Sequence, residues 1–140
     1  MSNNLMVGKR GLIMGLANDK SIAWGIAKAC ADAGAELAFS YQGDALKKRV
    51  VPLAAQLGSN IVLPCDVSDT ASMDALFEGL KKHWGQLDFV VHAIGFSDKN
   101  ELRGRYIDTS HKNFAMTMDI SVYSFTAIMR RAEKMMTDGG

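Results

Sequence analysis

Residues 10–25 read RGLIMGLANDKSIAWG: a short run ending in apolar residues, a glycine, the five residues LANDK, and a serine that opens an alanine-rich stretch. The run RGLIM (10–14), closed by Gly15, carries the signal of a short strand. SIAWGIAKACADA (21–33) places Ile22, Ile26 and Ala29 on one helical face, and Gly34 supplies the stop. A strand feeding a helix through a glycine turn is the opening of a parallel β-α-β unit, so this stretch decides the fold class. It also raises a chemical question. Such turns commonly hold a phosphate with closely spaced glycines, yet no two glycines here are spaced G-x-G.

Downstream the alternation repeats. AELAFSY (35–41) reads as a second strand. DALKKRVVPLAAQLG (44–58) reads as an amphipathic helix with Asp44 as its N-cap, Pro52 interrupting it and Gly58 ending it. NIVLPCDV (60–67) is a third strand, followed by the N-cap candidates Ser68, Asp69 and Thr70 and a helix to Trp84. LDFVVHAIG (87–95) is a continuous apolar run, the signature of a strand buried on both faces. A polar loop over 97–108 precedes one long helix, expected over about 109–137. The β-α-β-α-β-α-β-α order predicts a parallel sheet with helices on both faces.

Composition narrows the function classes. The chain has 140 residues, 48% hydrophobic and 22% charged, with a net charge of +1. That suits one soluble globular domain and argues against a nucleic-acid binder, which needs a concentrated basic face. The densest basic run, Lys47-Lys48-Arg49, reads as a solvated helix face. Cys30 and Cys65 make no C-x-x-C pair and no metal spacing with the three histidines, so they read as thiols of a reducing compartment. No stretch has the ~20 apolar residues of a membrane span. MSNNLMVGKR (1–10) lacks the apolar core of a signal peptide, and the cytoplasm is the expected location.

Open parallel sheets bind ligands beyond the carboxyl ends of their strands. At the first strand's end, Gly15 permits close backbone approach. Free N–H groups around Ser21 and Ile22 at a helix start can receive a pyrophosphate without a lysine. Ser21 can cap that helix and donate to a phosphate oxygen, or serve only as a cap. Gly25, one turn in, would let the helix pack closely on the strand. At the second strand's end Gln42 can reach an adenosine, or be merely an exposed turn residue. At the third, Asp66 and Val67 suit an adenine through carboxylate and backbone N–H; Asp66 could equally cap the next helix. At the fourth, Ala93, Ile94 and Gly95 are small enough for close approach, and His92 reads as a core histidine rather than a catalyst.

Together G-x5-SIA-x-G, FSYQ, CDV and VVHAIGF resemble the NADH-dependent enoyl-acyl-carrier-protein reductases of bacterial fatty-acid synthesis, divergent members of the short-chain dehydrogenase/reductase superfamily. The resemblance spans essentially the whole chain. It implies a Rossmann-like doubly wound parallel sheet in three α/β/α layers, with NADH as cofactor and an enoyl thioester on acyl carrier protein as substrate. It implies Gly15, Ser21 and Ile22 at the pyrophosphate, Gln42 at the adenosine, Asp66 and Val67 at the adenine, and Ile94 and Gly95 near the nicotinamide. Phe96 and Ser97 match positions beside the acyl group. The stretch DISVYSF (119–125) resembles a helix packed between subunits of the family's tetramer, and Met116, Met118, Met129, Met135 and Met136 suit core or interface.

The family's reaction needs a tyrosine and a lysine spaced Y-x6-K, the tyrosine for the enolate oxyanion and the lysine for the cofactor ribose. The one such pair here, Tyr41 and Lys48, lies on the adenine side, and Tyr106 and Tyr123 are followed at that spacing by Asn113 and Arg130. No catalytic residue and no metal site is therefore assigned. Residues 1–140 are expected to be the cofactor-binding part of a single-domain reductase, incomplete at the C-terminus and inactive alone. Another short-chain reductase is disfavoured by the lack of the T-G-x3-G-x-G and N-N-A-G motifs. A non-catalytic nucleotide module ending at Gly140 would leave a sheet edge uncovered. A flavodoxin-like domain would need a Ser/Thr-rich phosphate loop.

Overall fold

The computed structural model describes residues 3–140. Four parallel strands form one sheet in the order β3-β2-β1-β4: β1 (Arg10–Met14), β2 (Glu36–Tyr41), β3 (Val62–Pro64) and β4 (Phe89–His92). Helices α1 (Ile22–Asp32), α2 (Asp44–Gln56) and α3 (Thr70–Lys81) make the crossovers. After β4 come α4 (His111–Met118), a π-helical segment (Asp119–Tyr123) and α5 (Ser124–Ala132). The chain steps outward from β1 to β3 and then crosses back to lay β4 on the other side of β1. The loops leaving β1 and β4 consequently part, and a crevice opens between them.

Strand side chains alternate between two cores. Leu12, Met14 and Ala38 face α3 and α5, together with Leu76, Leu80 and Ile128. Ile13, Leu37 and Phe39 face α1 and α2, together with Ala27 and Val50. The three-layer α/β/α arrangement expected from the sequence is thus the one observed.

Several local expectations are corrected. Helix α1 buries Ala23 and Ala27, while Ile22 is 80% exposed. Turning that face inward brings small side chains to the sheet, and a Cβ at Gly25 would meet nothing within 4 Å. Close packing of helix on strand therefore comes from the alanines and not from Gly25. Gly43, at φ +79°, precedes α2 as its cap, and Asp44 is the first helical residue. Its carboxylate there faces the positive end of the helix dipole. Pro52 lies inside α2 without ending it.

Strand β3 spans only Val62–Pro64, and its tip residues Cys65–Val67 already belong to the turn into α3. Asp69, not Ser68 or Thr70, caps α3, its carboxylate accepting the Ala71 N–H at 2.9 Å. Strand β4 is half-buried along its length, not buried on both faces, because it pairs with β1 on one side only among the described strands. The last helical run ends at Ala132, five residues before the expected limit, and Met136 then makes a parallel bridge to Leu87. Asp88 anchors this corner. Its carboxylate accepts the Arg10 N–H at 2.8 Å and the Thr137 hydroxyl at 2.9 Å, and these bonds, with that of Arg10 foremost, hold its pKa below the usual range.

Candidate functional site

The strand tips enclose a cavity of about 320 Å³ beyond the carboxyl ends of β1 to β4. Of the ten residues singled out from the sequence, Gly15, Gln42, Asp66, Val67, Ile94, Gly95 and Phe96 line it. Three sheet spacings separate the tips of β3 and β4, so the cavity runs about 14 Å across the sheet.

Its floor is at Gly15. The backbone there has φ +103°, a conformation that side-chain-bearing residues rarely adopt, and a Cβ would collide with the carbonyl of Ala93. Glycine is required on both counts. It lets the β1 turn lie against the β4 tip.

Ser21 and Ile22 stand beyond the lining. The Ser21 side chain makes no cap bond into α1; its Oγ accepts the N–H groups of Ala17 (3.1 Å) and Asn18 (3.0 Å). Both bonds use oxygen lone pairs, so the hydroxyl proton is left to donate. The expected helix cap is instead a brace for the loop that lines the cavity. Among the described residues the N–H groups of Ile22 and Ala23 have no acceptor, and they form the positive end of α1.

On the β3 side, Oδ1 of Asp66 accepts the Ser68 N–H at 2.9 Å, and the Asp66 N–H donates to Ser72 Oγ at 2.8 Å. Oδ2 of Asp66 and the Val67 N–H have no partner among the described residues. The tip thus offers one acceptor and one donor, a pairing that matches an adenine edge. Gln42 is exposed on the neighbouring tip. Cys65, buried between them, has its pKa pushed up to about 11, first by burial and then by the Asp66 charge. A thiol that stays protonated is apolar wall, not a nucleophile.

On the β4 side, Phe96 is 55% exposed at the mouth. Ser97 points elsewhere: its Oγ accepts Asn113 Nδ2 (3.1 Å) and Thr117 Oγ1 (3.0 Å), and it borders a second hollow beside Tyr106 and Phe114. His92 faces α5, with Nε2 2.7 Å from Ser124 Oγ and its ring edge-on to Phe125. Ser124 spends its own proton on the Ile120 carbonyl at 2.6 Å, so His92 Nε2 carries the hydrogen of that pair. Desolvation lowers the His92 pKa, against a backbone hydrogen bond that raises it. This is the environment of a structural, neutral imidazole.

Sequence reading missed Ile120, which lines the cavity from the π-helical segment, and Ser121, which binds the backbone of Phe96. Two serines three apart (121 and 124) among the apolar residues Ile120, Val122, Tyr123 and Phe125 were the available signal.

Comparison with known proteins bears on what this cavity holds. Residues 15–140 match the family model described as Enoyl-(Acyl carrier protein) reductase. NADH enoyl-acyl-carrier-protein reductase 1 of Rhizobium meliloti (strain 1021) is 65% identical over 139 residues, covering 99% of this chain and 51% of the relative. The corresponding NADH reductase of Rickettsia bellii is 50% identical, covering 100% of this chain and 53% of the relative. The crystal structure of FabI from Candidatus Liberibacter asiaticus superposes with a TM-score of 0.93 at 60% identity, over 96% of this chain and 52% of that one. The reductase of Anaplasma phagocytophilum in complex with NAD gives 0.94 at 56% identity, over 100% of this chain and 54% of that one. The chain spans about half the length of the curated relatives it matches.

Proposed function

Because this chain belongs to the enoyl-(acyl carrier protein) reductase family, we propose that its cavity holds NADH. We further propose that the natural full-length protein reduces the 2,3 double bond of trans-2-enoyl groups on acyl carrier protein. When bound, NADH supplies a hydride to the β-carbon of the enoyl thioester. The chain's own residues bind and orient. Asp66 Oδ2 and the Val67 N–H receive the adenine edge, with Gln42 beside the adenosine. The Ser21 hydroxyl and the Ile22 and Ala23 N–H groups face the pyrophosphate, aided by the α1 dipole. Ile94 and Gly95 border the nicotinamide end, and Phe96 stands on the acyl side, while Ser97 is turned to the second hollow beyond it. We assign no oxyanion donor and no ribose-orienting lysine to residues 1–140, which act as the dinucleotide-binding part of a single-domain reductase.

One observation carries this reading: the unpaired acceptor and donor of Asp66 and Val67 share a single cavity with Gly95 and Phe96, as a ligand with two recognised ends requires. A homotetramer is supported by the exposed Phe114, Val122, Tyr123 and Phe125 along the last helical run. A cytoplasmic location is supported by the free thiols Cys30 and Cys65. No helix of the described residues is long and apolar enough to cross a membrane.

The test is to titrate the natural full-length protein with NADH and then follow NADH consumption on adding crotonyl thioester. Saturable binding with thioester-dependent oxidation is expected. Absence of binding, or binding without oxidation, refutes respectively the cofactor and the reaction.

A further inference from the structure

We propose that Ser121 is a positioning residue for the nicotinamide half of the cofactor, acting through the backbone of Phe96. The proposal rests on the cofactor reading above. The last helical run changes from α to π geometry over Asp119–Tyr123. A π-turn sacrifices regular hydrogen bonding and typically marks a site where a helix must present particular groups. Three contacts leave this one turn toward the β4 tip. Ile120 lines the cavity. Ser121 Oγ accepts the Phe96 N–H at 3.0 Å and donates to the Phe96 carbonyl at 3.2 Å. Ser124 joins the Ile120 carbonyl (2.6 Å) to His92 on β4 (2.7 Å).

One hydroxyl thereby satisfies both polar groups of a single residue. That residue follows Gly95, whose backbone has the most conformational freedom to lose. Ser121 Oγ is also the atom nearest to where a Gly95 Cβ would stand, at 3.9 Å. The clasp therefore fixes both residues at the β4 end of the cavity before any ligand arrives. Since the hydroxyl proton goes to the Phe96 carbonyl, Ser121 has none to give a ligand, and its influence passes through Phe96. Beyond the clasp the loop is held independently, with the Asp98 N–H on Asn113 Oδ1 at 3.1 Å and Ser97 on Asn113 and Thr117. Removing the Ser121 hydroxyl should loosen Gly95–Phe96 without releasing the rest.

The site has two ends, so the test uses two probes. Affinities for NADH and for AMP, which lacks the nicotinamide half, are measured on the natural full-length protein, on Ser121→Ala and on Ser121→Thr. Ser121→Ala is expected to weaken NADH about tenfold, the factor for re-ordering one backbone residue on binding. AMP binding should change less than about twofold, as the β3 tip is untouched, and Ser121→Thr should restore NADH binding. Without ligand, the Phe96 amide should exchange with solvent faster in Ser121→Ala than in wild type. Equal weakening of both probes, or an unchanged NADH-to-AMP affinity ratio in a folded Ser121→Ala protein, overturns the positioning role alone. Wild-type protein that binds neither probe removes the cofactor reading and this proposal with it.

Discussion

Gly15→Ala should destabilise the protein by about 1.5–3.5 kcal/mol, and the structure supplies two separate causes. At φ +103° an alanine pays the left-handed penalty of about 1–2 kcal/mol. The new Cβ also strikes the Ala93 carbonyl, so the Ala93 peptide must move. The N–H of Ala93, in the peptide unit just before that carbonyl, donates to the Met14 carbonyl at 3.0 Å, and bending this bond as the residue shifts adds about 0.5–1.5 kcal/mol. Gly25→Ala is the matched control in the same motif. Its Cβ meets open space in a regular helix, so it should stabilise by about 0.5–1 kcal/mol. Urea denaturation of both variants beside wild type reads these differences as midpoint shifts at constant slope. A Gly15→Ala cost below about 1 kcal/mol, or the same sign for both variants, refutes the claim that Gly15 is fixed by contact of the β1 turn with the β4 tip.

Asp66→Ala should weaken NADH binding by about 1–3 kcal/mol while the fold persists, since Asp66 stands at a strand tip and not in the core; collapse of thermal stability with unchanged affinity would make it structural. NADH should bind more tightly than NADPH, because no arginine stands at the β2 tip beside Gln42 to meet a 2′-phosphate; equal affinity would contradict this. His92, with its folded pKa below the ordinary 6.5, binds fewer protons folded than unfolded in the window between those values. Its contribution to stability is therefore complete above 6.5 and lost as pH falls toward the folded value. Wild type should lose more stability than His92→Gln between about pH 7 and pH 5 in denaturant titrations, and parallel losses would mean that the imidazole is not desolvated.

The parallel α/β architecture was legible because each strand and helix carries its own local signal: the strand run 10–14 ending in Leu-Ile-Met, the cap Asp69, and the glycines at 34 and 58. The site was legible because such sheets place ligands at strand tips, and those tips can be counted along the chain. The inward face of α1 was not. Ile22, Ile26 and Ala29 fit helical periodicity as well as Ala23 and Ala27 do, and only the close approach of the sheet selects the smaller set. Pro52 signals an interruption in the sequence, yet α2 runs on through it. The half-burial of β4 depends on its neighbours, which an apolar run cannot specify. The π-turn left no period to detect, so the Ser121 clasp on Phe96 emerged only from the structure.

The central claim is that one cavity across the strand tips holds a dinucleotide with its adenine at β3 and its nicotinamide at β4. A crystal structure of the natural full-length protein soaked with NAD measures this directly. The account predicts density for the adenine against Asp66 and Val67, the pyrophosphate over the N-terminus of α1, and the nicotinamide beside Ile94, Gly95 and Phe96. A dinucleotide bound in the reverse sense, or seated away from these tips, would contradict it.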